Sequence, residues 1–188
     1  MSATPPRRVL HLIVCGGPRA GQAGNGIRLA HARGWDVVVV ATPAGLDFID
    51  QPALEALSAR PVFHAYRRDP DTPSLPPADA TLVCPATFNT INKLAAGFSD
   101  NLALGLLTEA VGTRAPLVIA PALNSSQAGH PAFARSVNEL RAAGAVVLIG
   151  PGIYEPVAKG TGRRPYRWDR ALDAVDDLDS RRSEPGRT

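Results

Sequence analysis

Two small polar clusters, each just past an apolar run, hold the side chains best suited to chemistry. The first is Thr87, Asn89 and Thr90, which follow the run Thr81–Cys84 and Pro85. Any of the three can cap a helix. From Phe88 onward Ile91, Leu94 and Ala95 recur at helical spacing. A strand that breaks into a polar turn and then a helix offers unpaired N–H groups and hydroxyls to an anion. An ordinary strand–helix connection has the same residue types. The second cluster centres on Asn124, just beyond the apolar run Pro116–Ala120. A carboxamide donates and accepts at once, so it can orient a carboxylate or the edge of a polar ring. Taken without context, Asn124 reads as a helix cap ahead of Ser125 and Ser126.

The elements that must position these residues follow from periodicity. Val9 to Cys15 reads as a first strand, with Gly16-Gly17-Pro18 a tight turn and Ala20 to Arg33 a helix ended by Gly34. Asp36 to Ala41 is a β-branched run of the kind buried on both faces of a parallel sheet. Strand, helix and strand so close together make a βαβ unit. Thr42-Pro43-Ala44 is a turn, Pro52 to Ala59 a short helix, and Pro61-Val62-Phe63 the start of another strand. The proline-rich stretch Asp69–Pro77 excludes a regular element. The run Thr81–Cys84 is a strand that stops at Pro85, which has no N–H for a ladder. Asn101–Val111 and Pro131–Ala143 read as helices, Pro116–Ala120 and Ala145–Ile149 as strands, and Trp168–Leu178 as a last acidic helix. This alternation predicts an α/β fold: one doubly wound, Rossmann-like or flavodoxin-like parallel sheet with helices on both faces. One domain is expected over 8–178, with flexible tails at 1–7 and 179–188 and a mobile loop at 151–165.

Composition narrows the function classes. The chain has 188 residues, 45% of them hydrophobic, enough for a substantial core. No run approaches the ~20 apolar residues of a membrane span. A histidine at position 11 and the Gly16-Gly17 turn make the opening run a strand rather than a signal peptide. The two cysteines, Cys15 and Cys84, each end a strand, which points to reduced core thiols and a cytoplasmic protein; neighbouring strands would allow a redox pair. A net charge of +3, with arginines gathered near the C-terminus but no aromatic interleaving, argues against nucleic acid. A phosphate, a carboxylate or an acidic peptide is the better partner. No G-x-G-x-x-G fingerprint is present, and no metal site is expected.

Pro85-Ala86-Thr87-Phe88-Asn89-Thr90 resembles the Pro-Ala-Ser-Ala-Asn-Thr signature of the homo-oligomeric flavin-containing cysteine decarboxylases. This family includes phosphopantothenoylcysteine decarboxylase and the peptidyl-cysteine decarboxylases of lantibiotic and linaridin biosynthesis. The likeness continues through Asn92-Lys93, Ala95, Gly97 and Asp100-Asn101-Leu102, and the family's Pro-x-Met-Asn appears one strand later as Pro121-Ala122-Leu123-Asn124. The resemblance implies FMN held by Gly16, Gly17, Thr42, Pro85, Ala86, Thr87, Phe88, Asn89, Thr90 and Asp100. Thr42-Pro43-Ala44 resembles a segment that helps hold the flavin phosphate. Asn124 would contact the carboxylate that leaves as CO2, with Leu123, Tyr154, Gly162 and Arg163 around the substrate. In the family's chemistry the flavin oxidises the cysteine to a thioaldehyde, which accepts the electrons of the departing carboxylate and gives an enethiol. Flavin sites of the family lie between subunits, which implies a trimer or a dodecamer of trimers.

Departures from the pattern bear on mechanism and substrate. Leu123 stands for the usual Met, a volume-conserving change. Ser125, Ser126 and Gln127 stand where the family continues toward Met-Trp. The family's active-site histidine would fall at Asp71 or Thr72. Either Asp71 does its work, or His64, the nearest upstream histidine, is carried inward, or the protein binds flavin without decarboxylating. Phosphopantothenoylcysteine decarboxylases carry a late-loop cysteine that helps reduce the enethiol; the corresponding Lys159-Gly160-Thr161-Gly162-Arg163-Arg164 has none. The reading that follows is an FMN-dependent oxidative decarboxylase of a C-terminal cysteine in a precursor peptide, with Tyr154, Arg163 and Tyr166 on a loop that closes over the peptide end. The alternatives are a phosphopantothenoylcysteine decarboxylase of coenzyme A synthesis and a non-catalytic FMN-binding regulatory or structural subunit. A prenylated-flavin synthase on the same fold lacks its expected motifs here.

Overall fold

The computed structural model describes residues 8–67, 69, 71, 73–150, 153–161 and 166–183. Its centre is a five-stranded parallel sheet: β1 Val9–Val14, β2 Asp36–Ala41, β3 Ala80–Ala86, β4 Leu117–Pro121 and β5 Val146–Val147. The strand order is β2-β1-β3-β4-β5. The chain leaves β1 in one direction to reach β2 and crosses back to reach β3. That reversal opens a crevice at the carboxyl ends of β1 and β3, where doubly wound sheets bind ligands.

Alternation along the strands divides the core in two. Leu10, Leu12, Val14, Val37, Val39 and Leu82 pack with α1 (Ala23–Ala32), α3 (Gln51–Ser58) and α8 (Trp168–Ser183) on one face. Ile13, Cys15, Val40, Val83 and Ile119 pack with α4 (Phe88–Ala95), α5 (Leu102–Gly112) and α7 (Pro131–Ala142) on the other. Sheets covered on both faces need near-continuous apolar strands, as Asp36–Ala41 supplies. Two short helices, α2 (Pro43–Leu46) and α6 (Ser125–Ala128), follow the ends of β2 and β4.

Several elements differ from their sequence expectation. β3 does not stop at Pro85 but runs to Ala86. The register slips between Val83 and Ala86, so the proline falls in an irregularity rather than at a ladder donor position. Its carbonyl still accepts the Cys15 N–H at 3.2 Å. Thr42-Pro43-Ala44 is the start of α2, because Thr42 Oγ1 accepts the Gly45 N–H at 3.1 Å. Pro61–Phe63 contributes a single bridge from Phe63 to Val40 on the outer side of β2. Only two residues of Ala145–Ile149 pair as β5. The last helix continues past Leu178 to Ser183, and Asp179, expected in a flexible tail, is buried and ion-paired with Arg8. Residues 1–7 and 184–188 lie outside the described set.

Cys15 directly follows β1 and Cys84 lies on β3, the strand beside it, as the redox-pair reading requires. Their side chains belong to opposite core faces, so the sheet itself separates the two free thiols. Among the described residues no helix is long and apolar enough to cross a membrane.

Candidate functional site

Two pockets meet at the crevice, sharing Gly16 and Thr87. One, of about 390 Å³, is lined by Gly16, Thr42, Pro43, Ala44, Thr87, Asn89, Thr90, Lys93, Asp100, Asn101 and Leu104. Thr87 caps α4 by accepting from the Thr90 N–H at 3.3 Å, and Asn101 caps α5 by accepting from the Leu104 N–H at 3.1 Å. The N–H groups of Phe88 and Asn89, in the first turn of α4, have no acceptor within their own helix. Helix dipoles and such N–H groups favour an anion. Lys93 adds a cation, ion-paired with Asp100, and that pairing holds the Asp100 carboxyl below its usual range. The Thr87 and Thr90 hydroxyls, 3.0 Å apart, complete a donor set that fits a flavin phosphate.

The glycines here are steric necessities. A Cβ on Gly16 would lie 2.6 Å from the Ala44 carbonyl oxygen and 2.8 Å from its Cβ, so α2 could not cross over the turn after β1. A Cβ on Gly45 would lie 2.4 Å from the Val14 carbonyl oxygen.

The second pocket, about 250 Å³, runs from Gly16, Gly17, Pro18 and Arg19 to Ala122, Leu123, Asn124 and Gln127. Pro85 and Thr87 line it as well, and Tyr154, Val157 and Ala158 of the late loop complete the lining. Asn124 lines this pocket and caps α6. Its Oδ1 accepts the Gln127 N–H at 2.9 Å, while Gln127 Oε1 accepts the Asn124 N–H at 3.2 Å, a capping box. With Oδ1 committed to the cap, the remaining polar atom of the carboxamide is Nδ2, a donor of the kind suited to a carboxylate.

Two tyrosines clamp the strand end that carries Asn124. Tyr154 Oη donates to the Leu123 carbonyl at 2.5 Å and accepts its N–H at 2.8 Å. Tyr166 Oη donates to the Ala120 carbonyl at 2.5 Å. Burial pushes the Tyr166 hydroxyl well above its ordinary pKa, and that of Tyr154 upward too, so both stay protonated donors. The Ser125 N–H bonds the Val157 carbonyl at 3.0 Å, which straps residues 154–158 to α6. Tyr166→Phe would leave the buried Ala120 carbonyl without that donor. A loss of about 1–3 kcal/mol is expected, read as a fall in Tm of roughly 2–4 °C per kcal/mol.

Of the residues expected at the site, Gly16, Gly17, Thr42, Pro85, Thr87, Asn89, Thr90, Asp100, Leu123, Asn124 and Tyr154 line these two pockets. Ala86 is buried at the end of β3. The Phe88 ring turns away to stack on Phe133 and meet His130 edge-on, so its contribution to the crevice is its backbone N–H. His64 and Asp71 are exposed and lie outside both linings. Gly162 and Arg163 lie outside the described residues. Arg19 and Gln127 line the pocket without having been anticipated. A charged residue directly after a glycine turn at the end of β1 was the available signal for Arg19.

A family model described as Flavoprotein matches residues 25–177. The coenzyme A biosynthesis bifunctional protein CoaBC of Mycobacterium tuberculosis is 34% identical over 167 residues, which is 85% of this chain and 38% of that protein. The chain thus spans 38% of the length of the first curated relatives it matches. Among solved structures, the cypemycin decarboxylase CypD superposes with a TM-score of 0.73 at 24% identity, covering 94% of this chain and 96% of that one. The epidermin biosynthesis protein EpiD from Staphylococcus aureus superposes at 0.62 with 25% identity, covering 74% and 81%. The doubly wound sheet is therefore one that the cypemycin decarboxylase CypD also uses. The resemblance carried by Pro85–Thr90 and Pro121–Asn124 agrees with these matches. With the family model spanning most of the chain and a phosphate-ready pocket beside Thr87, the chain belongs to the Flavoprotein family, and its cofactor is a flavin.

Proposed function

We propose that this chain is an FMN-dependent decarboxylase of a terminal cysteine, acting on the C-terminus of a precursor peptide and releasing an enethiol. The observation that carries the reading is the 250 Å³ pocket that Asn124 lines together with the glycine turn after β1 and with Tyr154, Val157 and Ala158. FMN, when bound, supplies the oxidant for the cysteine side chain. The protein's part is to bind, orient and exclude water. The N–H groups of α4 and the Thr87 and Thr90 hydroxyls hold the phosphate. Asn124 Nδ2 orients the carboxylate, and the apolar walls of Pro85, Leu123 and Val157 take it out of water. A carboxylate that sheds its charge as CO2 is favoured by such surroundings. A homotrimer, or a dodecamer of trimers, belongs to this reading. In such an assembly the exposed His64 and Asp71 can serve the cleft of a neighbouring subunit, which their own subunit's geometry does not offer.

Decarboxylation of phosphopantothenoylcysteine is the second reading, favoured by the 34% identity to CoaBC proteins. Against it, the chain's two cysteines are both buried under the sheet's ends, and the loop at 153–161 carries none. An enethiol would leave without being reduced. The test is an anaerobic incubation of the yellow protein with a cysteine-ending peptide and, separately, with phosphopantothenoylcysteine, read by mass spectrometry. The peptide is expected to lose CO2 and two hydrogens as the flavin bleaches. Turnover of the small substrate alone selects the second reading. Bound FMN with no mass change on either selects a non-catalytic flavoprotein.

A further inference from the structure

Thr87 and Thr90 line the phosphate pocket, and behind their hydroxyls stands a buried thiol. Cys15 directly follows β1, is fully buried in the core on the α4 side of the sheet, and lines neither pocket itself. Its own N–H is fixed on the Pro85 carbonyl at 3.2 Å, which sets the end of β1 against the residues leading into α4. The Cys15 sulfur accepts the Thr87 N–H and meets the hydroxyls of both Thr87 and Thr90. Burial pushes this thiol up, so it keeps its proton. The two hydroxyls lie 3.0 Å apart, and Thr87 Oγ1 also accepts the Thr90 N–H. Cys84, equally buried on the other core face, meets Tyr166 instead.

The hydroxyl pair has two protons, and the bond within the pair uses one of them. The other is open to a ligand in the pocket, unless it turns back to the sulfur. An S–H that donates into the pair from behind turns that proton outward, and a row of donors polarises in one direction. An anionic oxygen in the pocket favours this arrangement, because a hydrogen bond to a charged acceptor is about twice as strong as a neutral one. We propose that Cys15 is a positioning residue for the cofactor: its thiol anchors the Thr87–Thr90 pair from behind and aims a hydroxyl proton at the flavin phosphate. The proposal rests on the reading of this pocket as the phosphate site and adds a residue that touches no ligand. Riboflavin, which has no phosphate, gains nothing from that proton, so Cys15 bears on the choice of FMN over riboflavin.

The test is the ratio of the riboflavin and FMN dissociation constants, read on the full chain by quenching of flavin fluorescence. Wild type is expected to prefer FMN by about tenfold or more. Cys15→Ala should cut that preference by about threefold to tenfold, the size of one hydrogen bond, while riboflavin binding stays within about twofold. Cys15→Val, which fills the volume and supplies no donor, should do the same, and Cys15→Ser should restore part of the preference. Cys84→Ala removes an equally buried thiol and should leave the ratio unchanged. A second readout needs no change at Cys15, because the S–H stretch absorbs in an infrared window clear of other protein bands. In Cys84→Ala the remaining Cys15 band should move on adding FMN and hold still on adding riboflavin. A band that ignores FMN, equal weakening of both flavins in the Cys15 variants, or an unchanged ratio overturns the proposal. Thr90→Val separates the proposal from the pocket reading. A ratio that survives Thr90→Val moves the phosphate elsewhere and removes the proposal with it, whereas a ratio lost there but kept in Cys15→Ala strikes out Cys15 alone.

Discussion

Asn124→Asp is expected to leave the fold intact and to lower decarboxylation about a hundredfold or more, equivalent to about 2.7 kcal/mol of transition-state stabilisation. Aspartate and asparagine cap helices comparably, so the acceptor role of Oδ1 toward Gln127 survives and stability should stay within about 0.5 kcal/mol. What changes is the other polar atom of the side chain. Nδ2, a donor, is replaced by a second carboxylate oxygen that repels the substrate's own. The new carboxyl, crowded by a like charge, titrates above the ordinary aspartate range. Residual activity should therefore rise as pH falls and the group becomes a neutral donor. Thermal melts, FMN absorbance and the mass-spectrometric assay together separate the cap from the chemistry. Undiminished turnover in this variant would reduce Asn124 to a structural cap.

Gly45→Ala should lower stability sharply. The added methyl would lie 2.4 Å from the Val14 carbonyl oxygen and 3.1 Å from Thr42 Oγ1. Val14 O is already fixed by the Thr42 N–H at 3.0 Å, so the acceptor cannot retreat without breaking the junction of β1, β2 and α2. Overpacking of this kind costs about 1–3 kcal/mol, a fall in Tm of roughly 2–4 °C for each kcal/mol. FMN affinity should fall with it, since Thr42 and Gly16 border the phosphate pocket. Gly112→Ala is the control. A Cβ at that helical position meets nothing within 4 Å, and its Tm should hold or rise.

The sheet was legible wherever one face-to-face contact dominates. Val37–Ala41 is buried on both sides, and its β-branched run says so. β5 was overread because an edge pairing of Val146 and Val147 depends on the neighbouring strand, not on local composition. α2 escaped because a four-residue helix has no period and rests on one cap, from Thr42, whereas α6 was legible through its cap, Asn124 ahead of Ser125 and Ser126. Pro85 misled because a missing N–H ends a ladder only where a donor is required. At the site, the motifs led directly to Thr87, Thr90 and Asn124. Arg19 did not stand out, because its place in the pocket depends on Tyr154 and Tyr166 from the far end of the chain. Sequence spacing carries no information about that meeting.

The burial of Cys15 and Cys84 on opposite sides of the sheet makes the protein a reporter of its own unfolding. Burial pushes both thiols up, so neither forms an accessible thiolate in the folded chain. An alkylating reagent must wait for the central strands to part, and those are the last to open in a sheet of this kind. The rate of labelling, followed with and without FMN, would then measure how much the cofactor slows global opening. Any ligand that binds only the folded state should lengthen that time in proportion to one plus the ratio of its free concentration to its Kd.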